Sequence, residues 1–275
     1  MNLFEIIEQI DPELSDRLNP RRAAIKNITS FGSKVAVAAL PFAFATLFKK
    51  AYGQTIPTAI KDVLNFALTL EYLESEFYNK GLAVGGLIPS SDKSSYFEKV
   101  ARDENNHVTF LQGVLKGDAV PKNTYTYDLT GGGTFGDVLT NYDTFLKVGV
   151  AFEDTGVRAY KGQAGVLKGN ETFLGAALAI HAVEARHAAA IRYVINQKLN
   201  LGLKPWITGG NDTGIAAVNG NYAGEENVTQ LTINITTLPN TGASSSVASA
   251  TAAFDEPLTK EAVLALLVGS FIKPA

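Results

Sequence analysis

One short pattern, written twice, constrains this chain more than anything else in it. Glu71 is followed seven residues later by Tyr78, and Glu104 three residues later by His107. Farther along, Glu153 is followed by Tyr160 and Glu184 by His187 at the same two spacings. The glutamates of the two halves lie 33 and 31 residues apart. Steps of three and seven return a side chain to the same face of an α-helix, so each motif belongs on one helix face. Those faces are otherwise apolar. Leu64, Ala67 and Leu68 share the arc of Glu71, and Leu146, Val150 and Val157 that of Glu153. Val100 and Leu111 flank Glu104 and His107, while Ile180 and Ile191 flank Glu184 and His187. A carboxylate inside an apolar arc is costly unless it is paired or bound to a cation.

The same periodicity predicts four helices. The first covers about 58–80, with Gly81 as its C-cap, and the second about 92–116, opened by Ser90, Ser91 and Asp92 and closed by Gly117. The third covers about 136–162, and the fourth 171–198 with Asn170 as N-cap. Asn65, Thr69, Tyr72 and Glu76 gather on the polar side of the first helix, and Asp143, Lys147, Asp154 and Arg158 on that of the third. At a rise of about 1.5 Å per residue, Glu71 and Glu104 each lie roughly 15–18 Å from the turn between their helices, so they meet at one level. Glu153 and Glu184 are similarly placed about the turn near Gly169. Two short-linked hairpins joined by a longer Gly-, Thr- and Tyr-rich segment describe an all-α four-helix bundle with one crossover.

Two glutamates from one pair of helices, with Glu-x-x-His from each of the other two, form the ligand set of di-iron and di-manganese carboxylate bundles. The chain has no cysteine, so thiolate sites and cysteine nucleophiles are excluded. Carboxylate and imidazole ligands suit iron, manganese or zinc. The expected ligands of two divalent ions, iron first and manganese as the alternative, are Glu71, Glu104, His107, Glu153, Glu184 and His187. Dioxygen or peroxide is the expected reactant. Tyr78 and Tyr160 are candidates for hydrogen bonding to the site or for passing an electron, and Asp103 for receiving an imidazole N–H. Glu74 also lies in the apolar arc and is a candidate extra ligand, but the repeat places Gly156 at its equivalent, which favours Glu71. His181 reads as a structural or outlying histidine rather than a ligand. The metal-free alternative is a bundle with buried Glu–His hydrogen bonds, in which four inward carboxylates would repel one another.

The segments "NFALTLEYLESEFY", "RDENNH", "EARHAAAIR" and "FDEPLTKEAVLALL" together resemble the ferritin-like domain family of the desiccation-related type, over about residues 55–205 and again near 250–270. The resemblance implies a ferritin-like four-helix bundle, a stress association, and the ligand set also seen in rubrerythrins and bacterioferritins, with all six positions filled here. Two functional expectations follow. The first is a redox protein, a ferroxidase or peroxidase that oxidises Fe(II) or removes peroxide, with a manganese-catalase-like enzyme as its near neighbour; a hydroxylase or desaturase would use the same ligands. The second is a non-enzymatic exported stress protein whose metal, if present, only stiffens the bundle.

Residues 1–54 carry Arg21 and Arg22, then Ile25 and Lys26, then a short apolar stretch from Val35 to Phe48. They resemble a twin-arginine export leader, which predicts an extracytoplasmic protein, with a cytoplasmic one as the alternative. The apolar stretch is shorter than the roughly 20 residues a spanning helix needs, so no stable membrane span is expected in the mature chain. A formal net charge of −3 gives no basic footprint for nucleic acid. A homo-oligomer is an open expectation. Residues 206–275 are polar and rich in Gly, Asn and Thr, with a strand-like run "VTQLTINITTL" and a late helical stretch "LTKEAVLALLVGSFI". They predict a mostly irregular extension packed on the bundle.

Overall fold

A computed structural model describes residues 55–208, 213–238, 246–267 and 269–275. The expected export leader, residues 1–54, lies outside the described residues. Four long helices dominate. Helix α1 spans Thr58–Ala83. The second helix opens as one turn at Ser90–Asp92, passes through a π-helical turn at Lys93–Phe97, and continues as α2, Glu98–Leu115. Helix α3 spans Tyr142–Leu167 and α4 Glu171–Leu199. Helix α1 packs on α2 and α3 on α4, and the two hairpins meet chiefly where α1 faces α3.

The ends of these helices depart from expectation in instructive ways. Gly81 is not a cap: it is a buried residue inside α1, and a Cβ there would run into the ring of Phe145. Its missing side chain lets α1 approach α3, so the helix continues past it. Helix α2 stops one residue early, at Leu115, because Lys116 takes a positive φ (φ 53°, ψ −122°) and starts a 3-10 turn; Gly117 is not the stop. Pro89, rather than the Ser–Asp cluster, precedes the first helical residue of the second helix. Helix α3 starts at Tyr142, not near 136, because the Asn141 side chain accepts a hydrogen bond from the Asp143 amide at 3.0 Å and caps it there. Asn170 caps α4 as expected, accepting from the Phe173 amide at 3.2 Å.

Both polar faces read from the sequence are partly covered, while Asp143 and Lys147 of α3 stay partly exposed. The crossover lies over α1, where Asn65 donates to the Asp118 carbonyl at 3.0 Å and accepts from the Val120 amide at 2.7 Å. The Tyr72 hydroxyl donates to the Val120 carbonyl at 3.2 Å, and both Thr69 and Tyr72 are buried. On α3, Asp154, Thr155 and Arg158 are buried by the C-terminal residues. Arg158 donates to the carbonyls of Asn221, Ala223 (2.7 Å) and Glu256 (2.7 Å), and its charge meets Glu225 at 2.7 Å. The Asn221 amide donates to the Thr155 hydroxyl at 2.7 Å, and the Tyr222 hydroxyl to Asp154 at 2.7 Å. Asp154 also receives Arg192 of α4. These side chains look solvent-facing on a helical wheel because their partners come from residues 38 or more positions away.

The remaining elements are short. Strand β1 (Tyr125–Tyr127), in the crossover, pairs antiparallel with β4 (Ile272–Pro274), tying the chain's last residues to the link between hairpins. The strand-like run is a hairpin rather than one strand: β2 (Thr229–Gln230) pairs with β3 (Ile233–Asn234) around Leu231, which has φ 56°. Helix α5 covers Val247–Ala253 and α6 Lys260–Leu267, the latter packed on α3. Among the described residues, no helix is long and apolar enough to cross a membrane.

Candidate metal centre

The two motif pairs meet in the middle of the bundle. Glu71, Glu104, Glu153 and Glu184 are wholly buried, and His107 and His187 nearly so. Each motif delivers its group from a different helix: Glu71 from α1, Glu104 and His107 from α2, Glu153 from α3, Glu184 and His187 from α4. Their atoms form two overlapping groups, each able to hold a metal ion. One comprises Glu71, Glu104, His107 and Glu184, the other Glu104, Glu153, Glu184 and His187; within each group the ligand atoms all lie within 4.8 Å of one another. Glu104 and Glu184 belong to both.

His107 hydrogen-bonds to Glu71 and Glu104, but several other atoms of the cluster have no hydrogen-bond partner. His107 Nδ1 lies 3.1 Å from Glu71 Oε2, 3.2 Å from Glu104 Oε2 and 3.1 Å from Glu184 Oε1. His187 Nδ1 lies 2.7 Å from Glu104 Oε1 and 3.3 Å from Glu153 Oε2. Despite that closeness, Glu104 Oε1, Glu153 Oε2, His187 Nδ1 and both oxygens of Glu184 make no hydrogen bond. Buried polar atoms are seldom left this way. Atoms bound about 2.1 Å from one octahedral ion sit roughly 3.0 Å from their neighbours, so separations near 3 Å without hydrogen-bond alignment fit donors directed at a shared ion. The donor set of oxygen and imidazole nitrogen suits a divalent transition metal.

The tyrosines complete the pattern across the hairpins. Tyr78 of α1 donates to Glu153 Oε1 of α3, and Tyr160 of α3 donates to Glu71 Oε1 of α1. Each hydroxyl occupies one oxygen of an outer carboxylate and leaves Oε2 facing the imidazole. Burial, then the adjacent carboxylate, raises both phenols well above their ordinary value, which keeps them protonated donors. Gly149 makes room for the Tyr78 hydroxyl, which lies 3.4 Å from where its Cβ would sit.

The other candidates separate cleanly. Asp103 Oδ2 is 3.6 Å from His187 Nε2, on the ring edge away from the cluster, and Arg102 holds its other oxygen at 3.2 Å. Burial acts to raise the Asp103 pKa, but His187 and Arg102 outweigh it and hold it below the ordinary value. His181 turns away, its Nδ1 2.9 Å from the Val157 carbonyl, and belongs to neither group. Glu74 is buried but also lies outside both groups; its Oε1 sits 3.3 Å from the Cβ position of Gly156. Burial, then the charges of Glu184, Glu104, Glu153 and Glu71, pushes its carboxyl well up. The repeat makes Glu74 and Gly156 equivalent positions, and the fold sets them face to face. Gly149 and Gly156, seven residues apart on α3, were not singled out as a pair; their heptad spacing opposite a repeat of large side chains was the available signal.

Without a cation the cluster must neutralise itself with protons. Burial first, then neighbouring carboxylates, raises Glu71 to about 8 against the pull of His107, and Glu153 is also raised. Burial acts to raise Glu104 and Glu184 too, but the imidazoles hold both below the ordinary value. Burial acts to lower both imidazoles, but the carboxylates raise them well above theirs. Stability carried by the depressed pair is lost only in acid, as pH falls below the ordinary carboxylate range. Stability carried by the raised groups is lost as pH climbs toward their folded values. One proton's difference is worth about 1.4 kcal/mol per pH unit. In chelator, the melting temperature should therefore fall by roughly 5–10 °C between pH 6 and pH 8. Differential scanning calorimetry checks this, and a melting temperature flat or rising over that window would overturn the charge assignment.

Comparisons with curated proteins and with solved structures return no match to this chain. A scan against protein families matches the model described as "Ferritin-like domain" over residues 60–197, from the first turn of α1 to the last of α4. That span covers half of the chain and contains all six clustered residues, so the chain belongs to the ferritin-like domain family.

Proposed function

We propose that this protein is a di-metal redox protein, iron first and manganese as the alternative, that reacts with dioxygen or peroxide and thereby oxidises Fe(II) or removes peroxide. The observation that carries the reading is the pair of overlapping ligand groups sharing Glu104 and Glu184. Glu71 and His107 would complete one site, Glu153 and His187 the other. Held together, two such ions supply paired one-electron changes, which the reduction of dioxygen or peroxide requires.

The chain's own residues supply the rest. The four carboxylates are wholly buried, so the packed helices around them keep bulk water from the cluster. Tyr78 and Tyr160 fix the outer carboxylates and hold protons at their hydroxyl oxygens within the site. Asp103 orients the His187 ring from its outer edge, which sharpens the direction of Nδ1. The twin-arginine-like leader supports export of the folded, metal-loaded protein, in a stress role.

Metal content of protein purified without added metal, followed by anaerobic Fe(II) loading and exposure to oxygen, tests the reading. The expected result is about two metal ions per chain and oxygen uptake coupled to Fe(II) oxidation. Absence of both metal and Fe(II) oxidation would leave the cluster a proton-balanced structural network, and the non-enzymatic stress role would take its place. Peroxide turnover by manganese-loaded against iron-loaded protein decides between the two metals.

A further inference from the structure

A cavity of about 190 Å³ lies where the C-terminal residues cover α3. Its wall mixes apolar residues such as Phe135, Val148 and Phe271 with the polar Thr134, Asn221 and Ser270, and no lining residue carries a charge. Its lining also includes Phe152 of α3 and Leu267 of α6, both nearly fully buried. The same two side chains line a second, smaller void of about 10 Å³, room for one water-sized molecule. That void is bounded on its far side by Glu74, Thr155 and Gly156. Gly156 is the thin point of the wall: where its Cβ would stand, Glu74 Oε1 is 3.3 Å away and Glu184 Cγ 3.6 Å. Glu184 is one of the two carboxylates shared by both ligand groups.

We infer that the C-terminal residues build an entry route to the metal centre for a small, uncharged, weakly polar reactant, running from this cavity between Phe152 and Leu267 to the glycine-lined gap beside Glu74. Size and chemistry define the class. The outer cavity has room for about one aromatic ring, since about 150 Å³ accepts benzene, but the void beyond it holds one water-sized molecule, so what passes is of the size of dioxygen or hydrogen peroxide. An ion entering an uncharged cavity would shed its hydration without compensation. Ala217 lines the cavity yet is exposed, which marks the mouth. Seven of the thirteen residues lining the cavity, from Ala217 to Phe271, lie beyond residue 197, where the family match ends. The route is thus built jointly by the bundle and by this chain's own extension.

The inference rests on the di-metal reading, and its test separates the two. Fluorobenzene binding to the full chain in chelator, followed by ¹⁹F NMR, probes the cavity without any metal. The parent should bind it, and Ala217→Trp, which plugs the mouth, should weaken binding at least tenfold; Ser270→Phe, also on the lining, serves if that variant fails to fold. With Fe(II) loaded, the plugged variant should keep the parent's metal content but react with oxygen at least tenfold more slowly, and Leu267→Ala should speed the reaction. Equal fluorobenzene binding by parent and plugged variant overturns the cavity, and equal oxygen rates at equal metal content overturn the route. A parent that binds fluorobenzene but no metal overturns the di-metal reading instead, and the metal count identifies that case.

Discussion

Alanine at Glu104 or Glu184 should strip both metal ions from the chain, whereas alanine at Glu71 or Glu153 should strip only one. The asymmetry follows from the two overlapping groups. Glu104 and Glu184 sit in both, while Glu71 with His107, and Glu153 with His187, each serve one. Losing a shared carboxylate removes a ligand from each ion and the negative charge that holds the pair together. Altering residues that merely orient ligands costs 10–100-fold in affinity or activity, so loss of a shared ligand should lower Fe(II) oxidation by about 100-fold or more. The Glu71→Ala variant should retain about one ion per chain, held by the Glu153–His187 side. Elemental analysis of the four variants, with melting curves in chelator to check the fold, reads this directly. Identical metal content in all four would sink the assignment of shared and outer ligands.

Replacing Arg158 with methionine should cost about 3–5 kcal/mol, the largest effect on stability expected of any single side chain outside the cluster. Arg158 is buried on α3 and satisfies three carbonyls from the C-terminal residues as well as the Glu225 carboxylate. Burial already pushes Glu225 up to about 7 against the pull of Arg158; without the guanidinium it is a buried acid with no counter-charge. At this size the melting temperature should fall by about 10 °C. The double variant Arg158→Met, Glu225→Leu should recover only part of the loss, because it removes the buried acid but leaves the carbonyls of Asn221, Ala223 and Glu256 without their donor. Metal content should remain that of the parent, since Arg158 faces away from the ligands. A single variant within 1 kcal/mol of the parent by urea denaturation, on the scale of an exposed ion pair, would show that this network does not hold the extension in place.

The six clustered residues were legible in the sequence because their placement within each helix is a local matter. A period of 3.6 residues puts Glu104 above His107, and Glu71 in line with Tyr78, whatever the helices later pack against. The matching distances of Glu71 and Glu104 from their turn likewise follow from rise per residue alone. Helix ends were read less well where a residue had two uses: Gly81 has the composition of a cap but serves the contact with Phe145.

Partnerships across helices were decided by tertiary structure. The sequence supplied Tyr78 and Tyr160 as candidates, but only packing crosses them over, Tyr78 to Glu153 and Tyr160 to Glu71. It placed Asp154 and Arg158 on the polar side of the third helix, and residues beyond 220, with Arg192, buried both. Helical periodicity is written in backbone geometry, so the chain alone determines which side chains share a face. What that face meets depends on segments brought together through space, and no local spacing encodes it.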